Sequence, residues 1–302
     1  MSFTAKDVQA LREKTGCGMM DCKKALVECN GNMDEAVDFL REKGLAQAAK
    51  KADRVAAEGL VYAYNENNVA VLVEMNSETD FVANSDGFKA LIEKVAKVVA
   101  EQNPADVEQL LVCKYDGATV NELVQELFLA IRENIKIRRF VRLEGALATY
   151  VHGGGRIGVV VKFDTNAADN DEFKVVAKDI AMQVAAANPL FLDRASVPAE
   201  VSEKEKGIMI TQMKEDPSMA NKPEAVLKKI VEGKMGKYYS EVCLAEQQFV
   251  KNGDFTVSGY IAAKAKEIGA EIKLDSFVRY EKGEGIEKRD DNFADEVASM
   301  IK

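Results

Sequence analysis

The stretch that decides the fold is EGLVYAYNENNVAVLVEMNSETDFVANSDGFKALIEKVAKVVAEQNP (58–104), because the chain carries an altered second copy of it. That copy is EGALATYVHGGGRIGVVVKFDTNAADNDEFKVVAKDIAMQVAAANP (144–189). Further along, TVNELVQELFLAIRENIKIRRFVR (119–142) aligns without a gap with TVSGYIAAKAKEIGAEIKLDSFVR (256–279). The chain therefore contains two copies of one unit, and the second copy is longer after Pro189.

Each copy has the pattern of a β-hairpin followed by two helices and a last strand. In the first copy, YAY and VAVLVEM flank a polar turn at 65–68, which is typical of a hairpin. Apolar residues then recur at helical spacing from Phe88 to Val99. We expect an α+β fold with two three-stranded antiparallel sheets side by side, each with helices on one face. Hairpin strands are predicted near 60–64, 69–75, 147–151 and 157–163.

The repeat also predicts the division into domains. One core subdomain should span 56–142 and the other 143–282. A small helical head with its connector should precede them at 1–55. A C-terminal helical module should follow at 283–302.

The extra length of the second copy, about 190–250, is typical of an antiparallel helical hairpin. Pro198 and Pro223 each open a helical pattern, and Pro217 interrupts the chain between them. A hairpin inserted in a surface loop should project from the body. The sequence does not show its role; a contact with a partner and a contact with a second copy of the chain are the alternatives.

The head has the pattern of three short helices and resembles a ubiquitin-associated module. Thr4 is placed to cap the first helix, which Gly16 ends. Asn32 with Glu35 predicts a capping box for the third helix, and Gly44 is expected to end it. A separate helical connector is expected over residues 45–59.

Two adjacent methionines in the second helix are expected to differ. Met19, Cys22, Leu26 and Cys29 fall on one helical stripe, so Met19 should be part of the core. Met20 lies about 100° away around the helix and should be the more exposed. Replacing Met19 should therefore cost stability, whereas replacing Met20 should not.

Composition disfavours several classes of function. The net charge is −9 and basic runs are short, which argues against direct binding of nucleic acid. No apolar run approaches the roughly 20 residues of a membrane helix, and the start lacks a signal-peptide pattern, so we expect a cytoplasmic protein without a membrane partner. Five unevenly spaced cysteines and one histidine predict reduced core thiols and no metal site.

The sequence HGGGRIG (152–158) contains the spacing of a dinucleotide-binding loop, but its glycines lie between two predicted strands. Such a loop requires a strand before and a helix after, so a hairpin turn is the better interpretation. No Walker A or GxSxG motif occurs. We expect no catalytic residue and no cofactor. An enzyme that uses this turn is the alternative, which nucleotide binding by the isolated protein would favour.

The two copies differ in the loop between the hairpin and the first helix. Fourteen residues separate Val73 from Phe88, but only 11 separate Val161 from Phe173. The longer loop reads NSETDFVANSDG and contains two apolar residues, Phe81 and Val82. They either plug the core or form an exposed wedge for a partner.

Two segments, TGCGMMDCKKAL (15–26) and TDFVA (79–83), resemble the signature segments of the elongation factor Ts family. The resemblance extends over essentially the whole chain in matching order. One departure is Ser77-Glu78, where the family pattern has Cys-Gln. Further matching segments are AAKKA (48–52), ENIKIRR (133–139), HGGGRIGV (152–159), VEGK (231–234) and GEGIEKRDDNFADEVASM (283–300).

The resemblance implies a protein without bond chemistry that binds elongation factor Tu, GDP-bound or nucleotide-free, and promotes GDP release. The head would dock on the GTP-binding domain of that partner, and the loop at Asp80-Phe81 would disturb its magnesium and phosphate sites. An adaptor whose head recognises a ubiquitin-like partner is the rival interpretation, but it would not need this loop. The implied contact residues are Arg12, Met19, Met20 and Lys23 in the head, Asp80, Phe81 and Val82 in the loop, His152 and Gly153 in the second half, and Met300 in the C-terminal segment.

Overall fold

The computed structural model describes residues 3–51, 53–216, 218–219 and 222–287, and for residues 45–50 the backbone alone. This part of the chain is α+β, as predicted, with eleven α-helices and eight strands. In chain order they are α1 (Ala5–Thr15), α2 (Met19–Glu28), α3 (Met33–Lys51), β1 (Glu58–Glu66), β2 (Val69–Ser77), α4 (Asp80–Ala83), α5 (Asp86–Gln102), α6 (Val107–Val112), β3 (Lys114–Tyr115), β4 (Ala118–Thr119), α7 (Val120–Ile131), β5 (Lys136–Glu144), β6 (Ala146–His152), β7 (Ile157–Thr165), α8 (Asp171–Ala187), α9 (Ala199–Glu215), α10 (Glu224–Val242), α11 (Val257–Ile268) and β8 (Ile272–Glu281).

The caps of the head form as predicted. Thr4 and Asp7 make a capping box at the start of α1, and Gly16 ends the helix with a φ of 66°. Asn32 caps α3 by accepting hydrogen bonds from the backbone N–H groups of Asp34 and Glu35. These side chains satisfy N–H groups that a helix leaves without partners in its first turn.

The prediction that Gly44 ends the third helix is wrong. Helix α3 continues to Lys51 and takes in most of the expected connector. A Cβ at Gly44 would lie 1.9 Å from Cδ2 of Leu129 on α7. The glycine is therefore needed for close packing of α3 against α7 and does not stop the helix.

The head packs directly onto the first half of the core. Its apolar centre includes Leu11, Leu26 and Leu40, and Leu129 of α7 completes the same cluster. Two ion pairs cross the same boundary: Asp21 with Arg132 at 3.0 Å, and Arg41 with Glu122 at 2.8 Å. The head and α7 therefore share one core.

Each repeat forms a three-stranded antiparallel sheet with helices on one face, as predicted. The first sheet has the order β1-β2-β5 and the second β6-β7-β8, and both show a register shift on the middle strand. The main clusters between sheet and helices contain Val73 with Phe88 in the first half and Val161 with Phe173 in the second. A two-stranded β3-β4 ribbon is present only in the first half of the described chain.

The two sheets do not lie side by side, and that expectation is wrong. Their other faces stack on each other and enclose a separate apolar layer around Leu72 and Val160. The backbone N–H of Val61 donates to the carbonyl of Gly155 across this contact at 2.8 Å. Apolar side chains on both faces of β2 and β7 explain the result, because each middle strand is covered by helices on one side and by the opposite sheet on the other.

The insert is an antiparallel helical pair, as predicted. Helices α9 and α10 enclose a cluster that contains Met213, Leu227 and Val231. The hydroxyl of Tyr239 donates to the hydroxyl of Ser202 at 3.5 Å. This contact joins the end of α10 to the start of α9, as expected for antiparallel helices. Pro217, the expected breaker, lies outside the described residues.

The predicted C-terminal helix lies outside the described residues, which stop at residue 287. Among the helices that are described, none has both the length and the apolar character needed to cross a membrane.

Candidate functional site

The longer loop of the first repeat folds into a single helical turn, α4, which with its caps Thr79 and Asn84 is hereafter the Phe81 turn. Thr79 caps it by accepting a hydrogen bond from Val82 N–H at 3.4 Å. Phe81 is 85% exposed, the most exposed large apolar side chain among those described, whereas Val82 is 8% exposed. Because successive residues on a helix point about 100° apart, one turn can direct Val82 inward and Phe81 outward.

The loop is thus a plug and an exposed apolar projection at once. Val82 packs in the core cluster of the first half, and Ala83 beside it is buried too. Val82 therefore anchors the turn in the free protein, and its predicted contact with a partner stays a prediction. Asp80 is exposed at the first position of the helical turn, where a carboxylate favours the helix.

Hydrogen bonds fix the Phe81 turn from several sides. The carboxylate of Glu133 accepts from Thr79 N–H at 3.0 Å and from the Thr79 hydroxyl at 2.8 Å. Ser85 donates its hydroxyl to the carbonyl of Val82 at 2.7 Å, and Asn84 donates its amide to the carbonyl of Asp80 at 2.9 Å. Phe81 is therefore held out on an ordered support.

The family departure at Ser77-Glu78 lies in the same network. The Ser77 hydroxyl donates to the carbonyl of Thr79 at 2.9 Å. Glu78 accepts from Asn134 N–H at 2.7 Å and pairs with Arg54 at 3.2 Å. In this chain Ser77 supports the start of the turn, and Glu78 ties it to the connector and to the segment after α7.

The start of α2 carries two more exposed apolar side chains. Met20 is 63% exposed and Met19 is 43% exposed, so the prediction that Met20 is the more exposed is confirmed. The prediction that Met19 belongs to the core is wrong. Met19 is the first residue of α2, beyond the end of the buried stripe that begins at Cys22. The other predicted head residues, Arg12 and Lys23, are exposed.

The glycine-rich segment is the turn between β6 and β7, as predicted. Gly153, Gly154 and Gly155 have φ values of 59°, 63° and 98°, a backbone region that other residues rarely adopt. His152 and Gly153 are exposed, and His152 Nδ1 lies 3.1 Å from the Tyr150 hydroxyl. No helix follows these glycines, so the segment lacks the geometry of a dinucleotide-binding loop.

The Phe81 turn and the glycine turn lie at the same end of the stacked sheets. Ser77, two residues before Thr79, is opposite Glu58 in the first sheet. Three residues after Glu58, Val61 bonds to Gly155 of the glycine turn. A strand advances only about 3.3 Å per residue, so three residues span a short distance. The two turns therefore lie at the same end of the core.

The segment that follows β8 begins at that end of the core too. Lys282 makes an ion pair with Glu58, and Arg156 of the glycine turn pairs with Glu281 at 3.2 Å. Hydrogen bonds from Arg279 and Arg156 lower the pKa of Glu281 below its ordinary value. The C-terminal segment therefore starts beside the predicted contact residues. Met300 itself lies outside the described residues.

The exposed residues at this end of the core have the character of a contact surface for a macromolecule. In the described part of the chain, no three side chains of His, Cys, Asp or Glu gather as they would around a metal ion. A groove of about 400 Å³ between the head and α7, lined by Val37, Arg41 and Glu122 among others, contains none of the predicted contact residues. Projecting apolar side chains instead are typical of protein interfaces.

Comparison with known proteins decides the family. Residues 78–284 match the family model described as Elongation factor TS. The chain is 50% identical over 307 residues to Elongation factor Ts of Syntrophotalea carbinolica, covering 100% of each chain. It is 51% identical over 306 residues to Elongation factor Ts of Clostridium novyi, covering 99% of this chain and 98% of that one. The chain belongs to the elongation factor Ts family.

Membership of the elongation factor Ts family makes the chain an elongation factor of protein biosynthesis. The matched region begins immediately before the Phe81 turn and includes β5, the whole second sheet and the helical insert, whereas β1 and β2 of the first sheet precede it. The head lies outside that region but within the full-length similarity to the two relatives.

Sequence reasoning missed the residues that hold the Phe81 turn. Glu133 contacts Thr79 from 54 positions away, and Glu78 contacts Asn134 from 56. ENIKIRR resembles a family segment, but nothing in its pattern pairs it with TDFVA. The one local signal was Thr79 itself, a preferred N-cap residue before an acidic residue.

Proposed function

We propose that the chain is a guanine nucleotide exchange factor that binds elongation factor Tu, GDP-bound or nucleotide-free, and promotes GDP release during translation elongation. Family membership and the 85% exposure of Phe81 on an ordered turn support the proposal. The factor makes and breaks no bonds itself, acts in the cytoplasm, and needs neither nucleic acid nor a membrane for this step.

In the proposed mechanism, Asp80 and Phe81 enter the GTP-binding domain of the partner and disturb its magnesium and phosphate sites. Burying a phenylalanine side chain stabilises a complex by about 1.5–3 kcal/mol. At about 1.4 kcal/mol per tenfold, this contact can weaken GDP binding by one to two powers of ten. Linkage then requires GDP to weaken binding of the factor by the same ratio.

The remaining contacts come from separate parts of the chain. The head, a ubiquitin-associated-like module in this proposal, docks on the GTP-binding domain through Arg12, Met19, Met20 and Lys23. His152 and Gly153 contact a different domain of the partner, and the C-terminal segment with Met300 returns to the first. The proposed units are those of the repeat: 1–55, 56–142, 143–282 and 283–302.

Release of a fluorescent GDP analogue from purified elongation factor Tu tests the proposal. We expect the release rate to rise with the concentration of this chain and to saturate. A release rate that does not change at any concentration would refute the exchange function.

The exposed methionines of α2 should contribute to binding with little effect on the stability of the free protein. Met20→Ala removes the more exposed side chain, so we expect weaker binding and a melting temperature within a few degrees of the wild type. Since Met19 is 43% exposed, Met19→Ala should also cost less than the ~2–5 kcal/mol of a buried site. Titration calorimetry and thermal melts separate the two effects. A large melting loss in either variant would contradict this view of the helix end.

His152 should act in complex formation and not in folding. The side chain is exposed and touches its own hairpin through Tyr150. We expect His152→Ala to slow association or speed dissociation by about threefold to tenfold, the loss of roughly one hydrogen bond. Tyr150→Phe, which keeps the ring but removes the hydroxyl, is the matched control for the local contact. Unchanged binding kinetics in surface plasmon resonance would show that His152 serves the turn alone.

A further inference from the structure

The Glu133 carboxylate has both oxygens committed to one residue of the Phe81 turn. One oxygen accepts from Thr79 N–H at 3.0 Å and the other from the Thr79 hydroxyl at 2.8 Å. A hydroxyl has one hydrogen and two lone pairs, so giving its hydrogen to Glu133 leaves a lone pair for Val82 N–H. Glu133 therefore sets the direction of the cap that closes the turn carrying Phe81.

The residue before Glu133 holds the head. Arg132 pairs with Asp21 at 3.0 Å, and Asp21 directly follows Met20 in α2. Adjacent residues just after α7 thus bond the head one residue from Met20 and the turn two residues from Phe81. A single peptide unit joins these two attachments.

We propose that Glu133 is a positioning residue for nucleotide exchange, which holds the Phe81 turn at a set position relative to the head. The inference rests on the proposed exchange function. When the head docks, the turn is then already ordered and placed for insertion, so no ordering of the loop opposes it. Glu133 contributes through Thr79 and touches neither the nucleotide nor the metal.

The test compares Glu133→Ala and Glu133→Gln in GDP release from elongation factor Tu. Glu133→Ala should lower the maximal rate about tenfold, from loss of two hydrogen bonds to a charged group, while the half-saturating concentration changes less than about twofold. Glu133→Gln should lose about threefold, because its amide oxygen can replace one acceptor but its NH2 group cannot replace the other. Glu101→Ala, an exposed glutamate on α5, is the matched control and should leave both parameters unchanged.

A combined variant distinguishes positioning from a general structural role. If Glu133 acts by placing Asp80 and Phe81, then Glu133→Ala added to a protein that already carries Asp80→Ala and Phe81→Ala should slow release no further. Further slowing in the combined variant, or a wild-type maximal rate for Glu133→Ala, would overturn the inference. Should Glu133→Ala fail to melt cooperatively, Glu133→Gln decides instead, alone and in the same combination. If wild-type protein itself does not accelerate release, the exchange function fails, and that outcome is distinct from failure of the Glu133 inference.

Discussion

Replacing Phe81 by alanine should slow GDP release at saturating concentrations by about ten- to a hundredfold, through loss of ~1.5–3 kcal/mol of burial in the complex. The melting temperature of the free protein should not change, because the ring is 85% exposed and contributes little to its own core. Stopped-flow release of fluorescent GDP, paired with thermal melts, measures both quantities. Asp80→Ala should also slow release without loss of stability.

The neighbouring residue provides the matched control. Val82 lies in the core beneath the turn, so Val82→Ala should lower the free energy of unfolding by about 1.5 kcal/mol, the value of two buried methylene equivalents. The two variants should thus differ in stability, since Val82→Ala lowers it and Phe81→Ala does not. If Phe81→Ala melts early and releases GDP at the wild-type rate, the insertion mechanism is wrong.

The largest effect on stability should come from Glu74, a fully buried carboxylate on β2. It accepts from Arg138 at 2.9 Å, from Arg139 at 2.6 Å and from Gly283 N–H at 2.8 Å. Arg139 also pairs with Glu284 at 3.2 Å. The cluster thereby joins the first sheet to the segment that follows β8.

Glu74→Ala should lower the free energy of unfolding by about 3 kcal/mol, because two partly buried guanidinium groups lose the carboxylate they share. Glu284→Ala is the matched control. Its side chain is 51% exposed, so the loss should be about 0–1 kcal/mol. Urea unfolding monitored by circular dichroism gives both values. Equal, small losses would mean that the cluster does not stabilise the packing of the two halves.

Much of the fold could be predicted because its signals are local. The hairpins, the caps at Thr4 and Asn32 and the paired helices of the insert each follow from spacing within a few residues. The stacking of the sheets did not follow from the repeat, since two copies of a unit leave their mutual arrangement open. The nearly continuous apolar runs of β2 and β7 were the available signal, because a strand covered on one face only alternates.

The failures at Gly44 and Met19 both arise because a local pattern does not show which tertiary neighbours a residue has. Glycine usually marks the end of a helix, but at Gly44 the close approach of Leu129 outweighs that tendency. Met19 has the correct helical phase for the core but lies at the first position of its helix. Periodicity gives the direction of a side chain and does not show whether anything packs there.

The candidate site was found from an asymmetry in length and not from a motif of its own. That asymmetry selected the loop with Phe81 and Val82, but it could not show which of the two points outward. The anchoring of the turn to the core determines which side chain points outward. That anchoring depends on Val82, which packs in the core, and on Glu133, which accepts a hydrogen bond from the Thr79 cap of the turn. Such contacts join distant parts of the chain and leave no local pattern.

The most direct test of the account compares the affinity of wild-type protein and of Phe81→Ala for elongation factor Tu in its nucleotide-free and GDP-bound forms. Linkage predicts that the wild type binds the nucleotide-free form more tightly, and that Phe81 supplies about one to two powers of ten of this preference. We expect Phe81→Ala to keep most of its affinity for the GDP-bound form and to lose about tenfold or more toward the nucleotide-free form. The same preference in both proteins would contradict the claim that Phe81 competes with GDP.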